Sequence, residues 1–176
     1  MERNFAVRDT DPADIADMIA IFDADFTRVT PTLSCTRMVI SPINARARIL
    51  AEINSATSTL TIESMQFADS DVRSAVQARK QAGVDVRALI ADAGWVSENA
   101  AAATFLKGLS IPVKYIPHMH TKALVVDGKT AYVGSENLSY TSLNKNREMG
   151  VILTDASSIQ PLMDTFEKDW AAGVDF

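Results

Sequence analysis

Two hydrophobic periods alternate along this chain. Residues 37–40, 57–65, 84–90, 112–116, 122–126, 130–133 and 148–153 are short apolar runs rich in β-branched side chains, which predicts strands. Between them lie stretches with apolar residues at helical spacing. The span 43–56 carries Ile43, Ala47, Leu50 and Ile53 on one face, and 69–82, 97–107 and 156–171 read likewise. Ser41-Pro42 reads as an N-cap followed by a first-turn proline, and Asp69-Ser70-Asp71 as a second cap. Gly83 and Gly108 close helices. Asp127-Gly128, set between two apolar runs, is a hairpin signal. Strands alternating with helices predict an α/β sandwich with a largely parallel sheet and one hairpin.

Bulk properties narrow the picture little. The 176 residues suit one domain with a substantial core. A net charge of −5 gives no global attraction to nucleic-acid phosphates, although a local basic mouth is compatible with it. The single cysteine, Cys35, is expected as a small core residue in a strand and allows no internal disulfide. Met1-Glu2-Arg3-Asn4 does not open a signal peptide, and no apolar run reaches transmembrane length. The expected localisation is soluble, cytoplasmic by default, and extracytoplasmic if an upstream signal was lost.

Chemistry concentrates in one stretch. His118-Met119-His120-Thr121-Lys122 leads into the apolar run ending at Asp127, and Gly134-Ser135-Glu136-Asn137 follows the return strand. As a pattern this is H-x-K-x4-D-x6-G-S-x-N. Alternation on a strand points His120 and Lys122 the same way, and a hairpin brings Ser135 and Asn137 back beside them. An imidazole, an ammonium, a hydroxyl and a carboxamide then share one mouth. The imidazole is a nucleophile or acid/base near neutral pH, and the cation and amide suit phosphoryl oxygens. Asp127 stands about 17 Å from His120 at strand rise, so it reads as a turn or ion-pair residue. His118 and His120 raise a zinc question, but the chain has two histidines and one cysteine, too few for a usual zinc site. Glu63 and Gln66, after an α/β strand, are placed facing the mouth.

The spacing resembles the phospholipase D superfamily, the HKD proteins, over about residues 37–170, with every fixed motif position filled. The resemblance implies a mixed sheet between two helical layers, a three-layer sandwich, and no cofactor or metal. It carries over His120, Lys122, Asp127, Ser135, Asn137 and Glu148 as the site, with Glu148 hydrogen-bonding His120. It implies phosphodiester cleavage through a phosphohistidine, by hydrolysis or transphosphatidylation, and two HKD motifs per site. This chain holds one. Its implied partner is a second HKD half, supplied by a homodimer or by an upstream half. A phospholipid is the expected substrate. A one-motif homodimeric endonuclease is the alternative, disfavoured by the lack of a basic stripe with stacking aromatics, and a non-catalytic orphan half is a third possibility.

A second pattern concerns the beginning of the chain. Residues 3–26 match 147–170 at a constant offset of 144, with Arg, Val, Thr, Asp, Ile, Phe and Asp recurring in register. Residues 1–30 therefore read as a strand-helix tail that repeats the end of a preceding HKD unit. Residues 31–36 read as a connector and 37–176 as the HKD domain.

Overall fold

One eight-stranded sheet runs through the computed structural model, which describes residues 2–34 and 37–176. Cys35 lies outside the described residues. Helix α1 (Pro12–Thr27) precedes β1 (Met38–Ser41), α2 (Ala45–Ser55), β2 (Thr59–Ser64), α3 (Ser70–Gln81), β3 (Asp85–Ala91) and α4 (Glu98–Gly108). Then come β4 (Val113–Ile116), β5 (Lys122–Val126), β6 (Thr130–Gly134), α5 (Tyr140–Asn144), β7 (Glu148–Leu153), α6 (Ala156–Ala172) and β8 (Val174–Asp175). The strand order is β1-β7-β6-β5-β2-β3-β4-β8.

The sheet is mixed, as expected, but it is mostly antiparallel. Among the strand pairs of the described residues, only β2·β3 and β3·β4 are parallel, while β1·β7, β7·β6, β6·β5, β5·β2 and β4·β8 are antiparallel. The reason is topological. The β5–β6 hairpin inserts beside β2, and β7 continues the meander, so three non-crossover strands sit in the middle.

Alternation sorts the core into two layers. Leu124 and Val126 of β5 join Leu60, Ile62, Val86, Ala88 and Ile90 under α2, α3, α4 and α5. Ala123 and Val125 point the other way, toward Ile21 of α1 and Ile159 and Leu162 of α6. Helices on both faces make the three-layer sandwich. Helix α2 starts later than its proline suggests. Ser41 belongs to β1, its hydroxyl donating to Ser142 O, and Asn44 Oδ1 accepts from Ile40 N–H at 2.7 Å.

Residues 4–11 form no helix or strand, and Arg3 makes one bridge to Met119. Asp11 caps α1, accepting from Ala13 N–H at 2.8 Å, and Asp155 caps α6, accepting from Ser158 N–H at 2.8 Å. Arg3 pairs with Asp169 of α6 at 2.6 Å, and Arg147 pairs with Asp25 of α1 at 2.6 Å. No helix of the described residues is long and apolar enough to cross a membrane.

Candidate active site

The Asp-Gly turn builds the site's frame. Asp127 (φ 53°) and Gly128 (φ 63°) both take the left-handed backbone of a tight hairpin, and Lys129 N–H donates to Val126 O at 2.9 Å. The Asp127 carboxylate reaches across to the start of β2. It accepts from the N–H groups of Thr57, Ser58 and Thr59 at 3.0, 2.8 and 2.8 Å, and from Thr57 Oγ at 2.6 Å. These hydrogen bonds to the charged form outweigh desolvation and hold its carboxyl well below the usual carboxylate range. Asp127 thus ties the hairpin to β2 at the end of the strand away from the mouth, and it does not line the cleft. We expect Asp127→Ala to cost about 2 kcal/mol of stability at neutral pH, since several charge-assisted bonds are lost. The difference between variant and wild type should shrink as pH falls below the unfolded carboxyl range of about 4, because a depressed carboxyl stabilises only above it. Urea melts at pH 7 and pH 3 read this; a pH-independent difference would contradict it.

At the near end of β5, His118 sits in a left-handed turn (φ 60°) and fully buried Met119 anchors it. The N-terminal segment then lies against this corner. His120 N–H and Thr121 Oγ both donate to Arg3 O at 3.1 Å. The His120 ring is held at Nδ1, 2.9 Å from Asn4 Oδ1. With Nδ1–H donating, Nε2 keeps its lone pair for the cleft. Glu148, expected as this partner, makes other bonds. It accepts from Ser142 Oγ at 2.8 Å and from Asn146 Nδ2 at 2.7 Å. The geometric reason is that the N-terminal segment reaches the ring's Nδ1 first.

Lys122 is nearly buried and curls back to donate to His120 O at 2.7 Å. Burial pulls its ammonium down to about 8, against the raising influence of the Glu148 and Glu2 carboxylates. Ser135 Oγ accepts from Met149 N–H at 3.1 Å, stapling the end of β6 to β7. Asn137 N–H donates to Ser142 Oγ at 2.7 Å, and its Oδ1 is buried without a hydrogen-bond partner among the described residues. Gly134 lies opposite Gly150 across β6 and β7. A Cβ on Gly134 would stand 2.7 Å from Gly150 Cα and 2.6 Å from Glu136 Oε2.

One open cleft of about 430 Å³ is lined by Asn4, Phe5, His120, Lys122, Gly134, Ser135, Asn137 and Glu148. Five of the six expected site residues therefore meet in one place, and Asp127 is the exception. Asn4, Phe5 and Trp95 escaped sequence reasoning. The exposed Trp95 ring lies 6.4 Å from that of His120 and 5.9 Å from that of His118. Asn4 had a signal: the offset of 144 sets it in register with Glu148. Glu63 does not face the mouth. It is buried beside Phe5, Ala123, Val125 and Phe166, and neither carboxyl oxygen has a hydrogen-bond partner among the described residues. Burial, aided by Asp169 and opposed by Arg3, pushes its carboxyl up to about 8. Among the described residues, no three His, Cys, Asp or Glu side chains gather to hold a metal.

An imidazole, a near-buried lysine and a carboxamide line one open cleft on a mixed sheet between helical layers, and a family match over residues 49–170 shows that the chain belongs to the phospholipase D superfamily. The family described as cardiolipin synthase, PLD-like domain, matches residues 49–170. More particularly, the chain is 30% identical over 124 residues to the probable cardiolipin synthase YwiE of Bacillus subtilis, covering 66% of this chain and 25% of that protein. It is 29% identical over 127 residues to the mitochondrial cardiolipin hydrolase of Mus musculus, covering 70% of this chain and 57% of that one. It thus spans a quarter to somewhat over half of these relatives. Among solved structures it is similar to Nuc, a phospholipase D family member from Salmonella typhimurium. There the TM-score is 0.74 and the identity 26%, over 80% of this chain and 96% of Nuc.

Proposed function

We propose that this chain supplies half of a phosphodiesterase site that works through a phosphohistidine on phospholipid, by hydrolysis or transphosphatidylation. The observation that carries the reading is the convergence of His120, Lys122, Ser135, Asn137 and Glu148 on one open cleft. His120 Nε2 attacks phosphorus, and the bond from phosphorus to the leaving oxygen breaks. A second HKD histidine, brought across the cleft by a homodimer or an upstream half, gives that oxygen its proton. The same histidine then takes a proton from water or an alcohol as it attacks the phosphohistidine, which frees His120. Lys122 and Asn137 hold the non-bridging oxygens as charge builds. Asn4 holds the ring tautomer from Nδ1, the role given on sequence to Glu148. No cofactor takes part.

A second reading, cleavage of nucleic acid, is favoured by Trp95, whose exposed ring beside both histidines offers a base a face to stack on. The net charge of −5 weighs against it. Vesicles of cardiolipin or phosphatidylglycerol and a supercoiled plasmid, assayed side by side, separate the two. With a second HKD half supplied, we expect lipid turnover without plasmid nicking. We also expect the lipid rate to fall as pH rises through about 8, where Lys122 loses its charge. Nicking without lipid turnover would transfer the site to nucleic acid, and silence in both with that half present would end the enzymatic reading.

A further inference from the structure

Helix α1 leaves one face bare. Ile15, Ile19, Phe22 and Phe26, spaced by four, three and four residues, are 39%, 57%, 70% and 82% exposed. They form one apolar stripe, opposite the face that sets Ile21 and Ala24 into the core. An isolated exposed phenylalanine needs no explanation, but a contiguous helical row of four large apolar side chains does.

The offset of 144 says what the row is built for. Ile15, Phe22 and Phe26 stand in register with Ile159, Phe166 and Trp170 of α6. In α6, Ile159 and Phe166 are buried against the chain's own sheet. Phe166 and Trp170 stack with their planes 19° apart, and Phe22 and Phe26 stack with theirs 18° apart. Over the α6 pair lie cations from the sheet. Arg87 of β3 sits 4.9 Å from the Phe166 ring and 5.5 Å from Trp170, and Lys114 of β4 sits 5.2 Å from Trp170. Arg87 also pairs with Glu167 at 2.5 Å, and the residue in register with Glu167 is Asp23, which is exposed.

The two segments are also related in space. Arg3 reaches Asp169 while Arg147 reaches Asp25, so residues in register exchange partners. Reciprocal contacts of this kind are the mark of a two-fold relation. That two-fold carries α6 onto α1. It carries the sheet under α6 onto the space over Ile15, Phe22 and Phe26.

From this we propose that the α1 stripe is a docking surface for the sheet of a second phospholipase D-like unit, one that is not a copy of this chain and that presents basic side chains to Phe22, Phe26 and Asp23. A copy placed by this two-fold would lay its α6 where α1 already lies, which is why the occupant is a unit other than a copy. The proposal rests on the two-motif reading above and deepens it. It chooses a tandem-type partner over a homodimer and gives the covering surface.

The test uses thiol reactivity at residue 19, with Ile19→Cys in a Cys35→Ser background. In the full chain we expect fast labelling and sedimentation as a monomer at tens of micromolar. A tandem protein supplies the missing unit: residues 37–153 joined directly to residues 10–176, so that α1 closes the first sheet in the place of α6. There we expect labelling slowed at least tenfold, and restored by Phe22→Glu with Phe26→Glu. A tandem that folds with residue 19 still reactive overturns the proposal. So does a tandem that cannot fold, since α1 then cannot close such a sheet. So does a full chain that dimerises through the stripe, shown by Phe22→Glu returning it to monomer; in that case the two-motif reading survives and only the choice of partner falls. Diesterase turnover by a monomeric full chain would instead end the two-motif reading, whatever the labelling shows.

Discussion

His120→Ala is expected to lower phosphodiester turnover by about 10⁴-fold or more, as losses of a covalent nucleophile do. The fold should survive the change. The backbone N–H of residue 120 keeps its bond to Arg3 O, and the side chain gives up a single hydrogen bond to Asn4 at the edge of an open cleft. Initial rates on cardiolipin vesicles with a second HKD half supplied, and circular dichroism to verify the fold, read the outcome. Acid-quenched protein should also lose any trapped phosphoenzyme. A variant within tenfold of wild type would remove His120 from the covalent step and leave Lys122 and Asn137 without a reaction to assist.

The largest effect on stability is expected at Glu63. Its carboxyl is raised from 4.5 to about 8 by burial, with Asp169 adding to the shift and Arg3 reducing it. The folded protein therefore holds a proton that the unfolded chain has already released above its carboxyl range. Stability must fall as pH climbs from about 4.5 to about 8 and then level off. At 1.36 kcal/mol per unit, the fall is on the order of 5 kcal/mol. Glu63→Gln keeps the shape and removes the titration. The variant should match wild type near pH 4 and exceed it near pH 9 by about that amount. Denaturant melts across this range check the sign as well as the size. Parallel curves for the two proteins would mean that Glu63 ionises as freely when folded as when unfolded.

The elements themselves were legible because their signals are local. Asp127-Gly128 between two apolar runs specified the hairpin, and Asp69 marked the helix start that it caps. Outside that hairpin, strand direction was not legible. All five residues of β5 are buried, which is how a parallel central strand also reads, and nothing in its period says that β2 flanks it antiparallel. The cleft was legible where spacing along one hairpin set it, from His120 to Asn137. It was not legible where another segment arrives from 116 residues away. Asn4 on His120 is such a contact, and it displaced Glu148 from the position expected for it. Helix α5 was missed because its five residues are too few to show a period.

The facing glycines of β6 and β7 decide where this protein can change. Gly134 forms part of the cleft wall, and with Gly150 opposite it the two backbones come close enough for the Tyr132 hydroxyl to donate to Glu136 at 2.5 Å between them. Even a methyl group at either position would collide with that packing. This wall is in effect immutable, so under the proposed function preference for one phosphate ester over another has to be rewritten at Phe5 in the cleft and at Trp95 beside His120. Lineages of such a protein should drift there while the wall stays still.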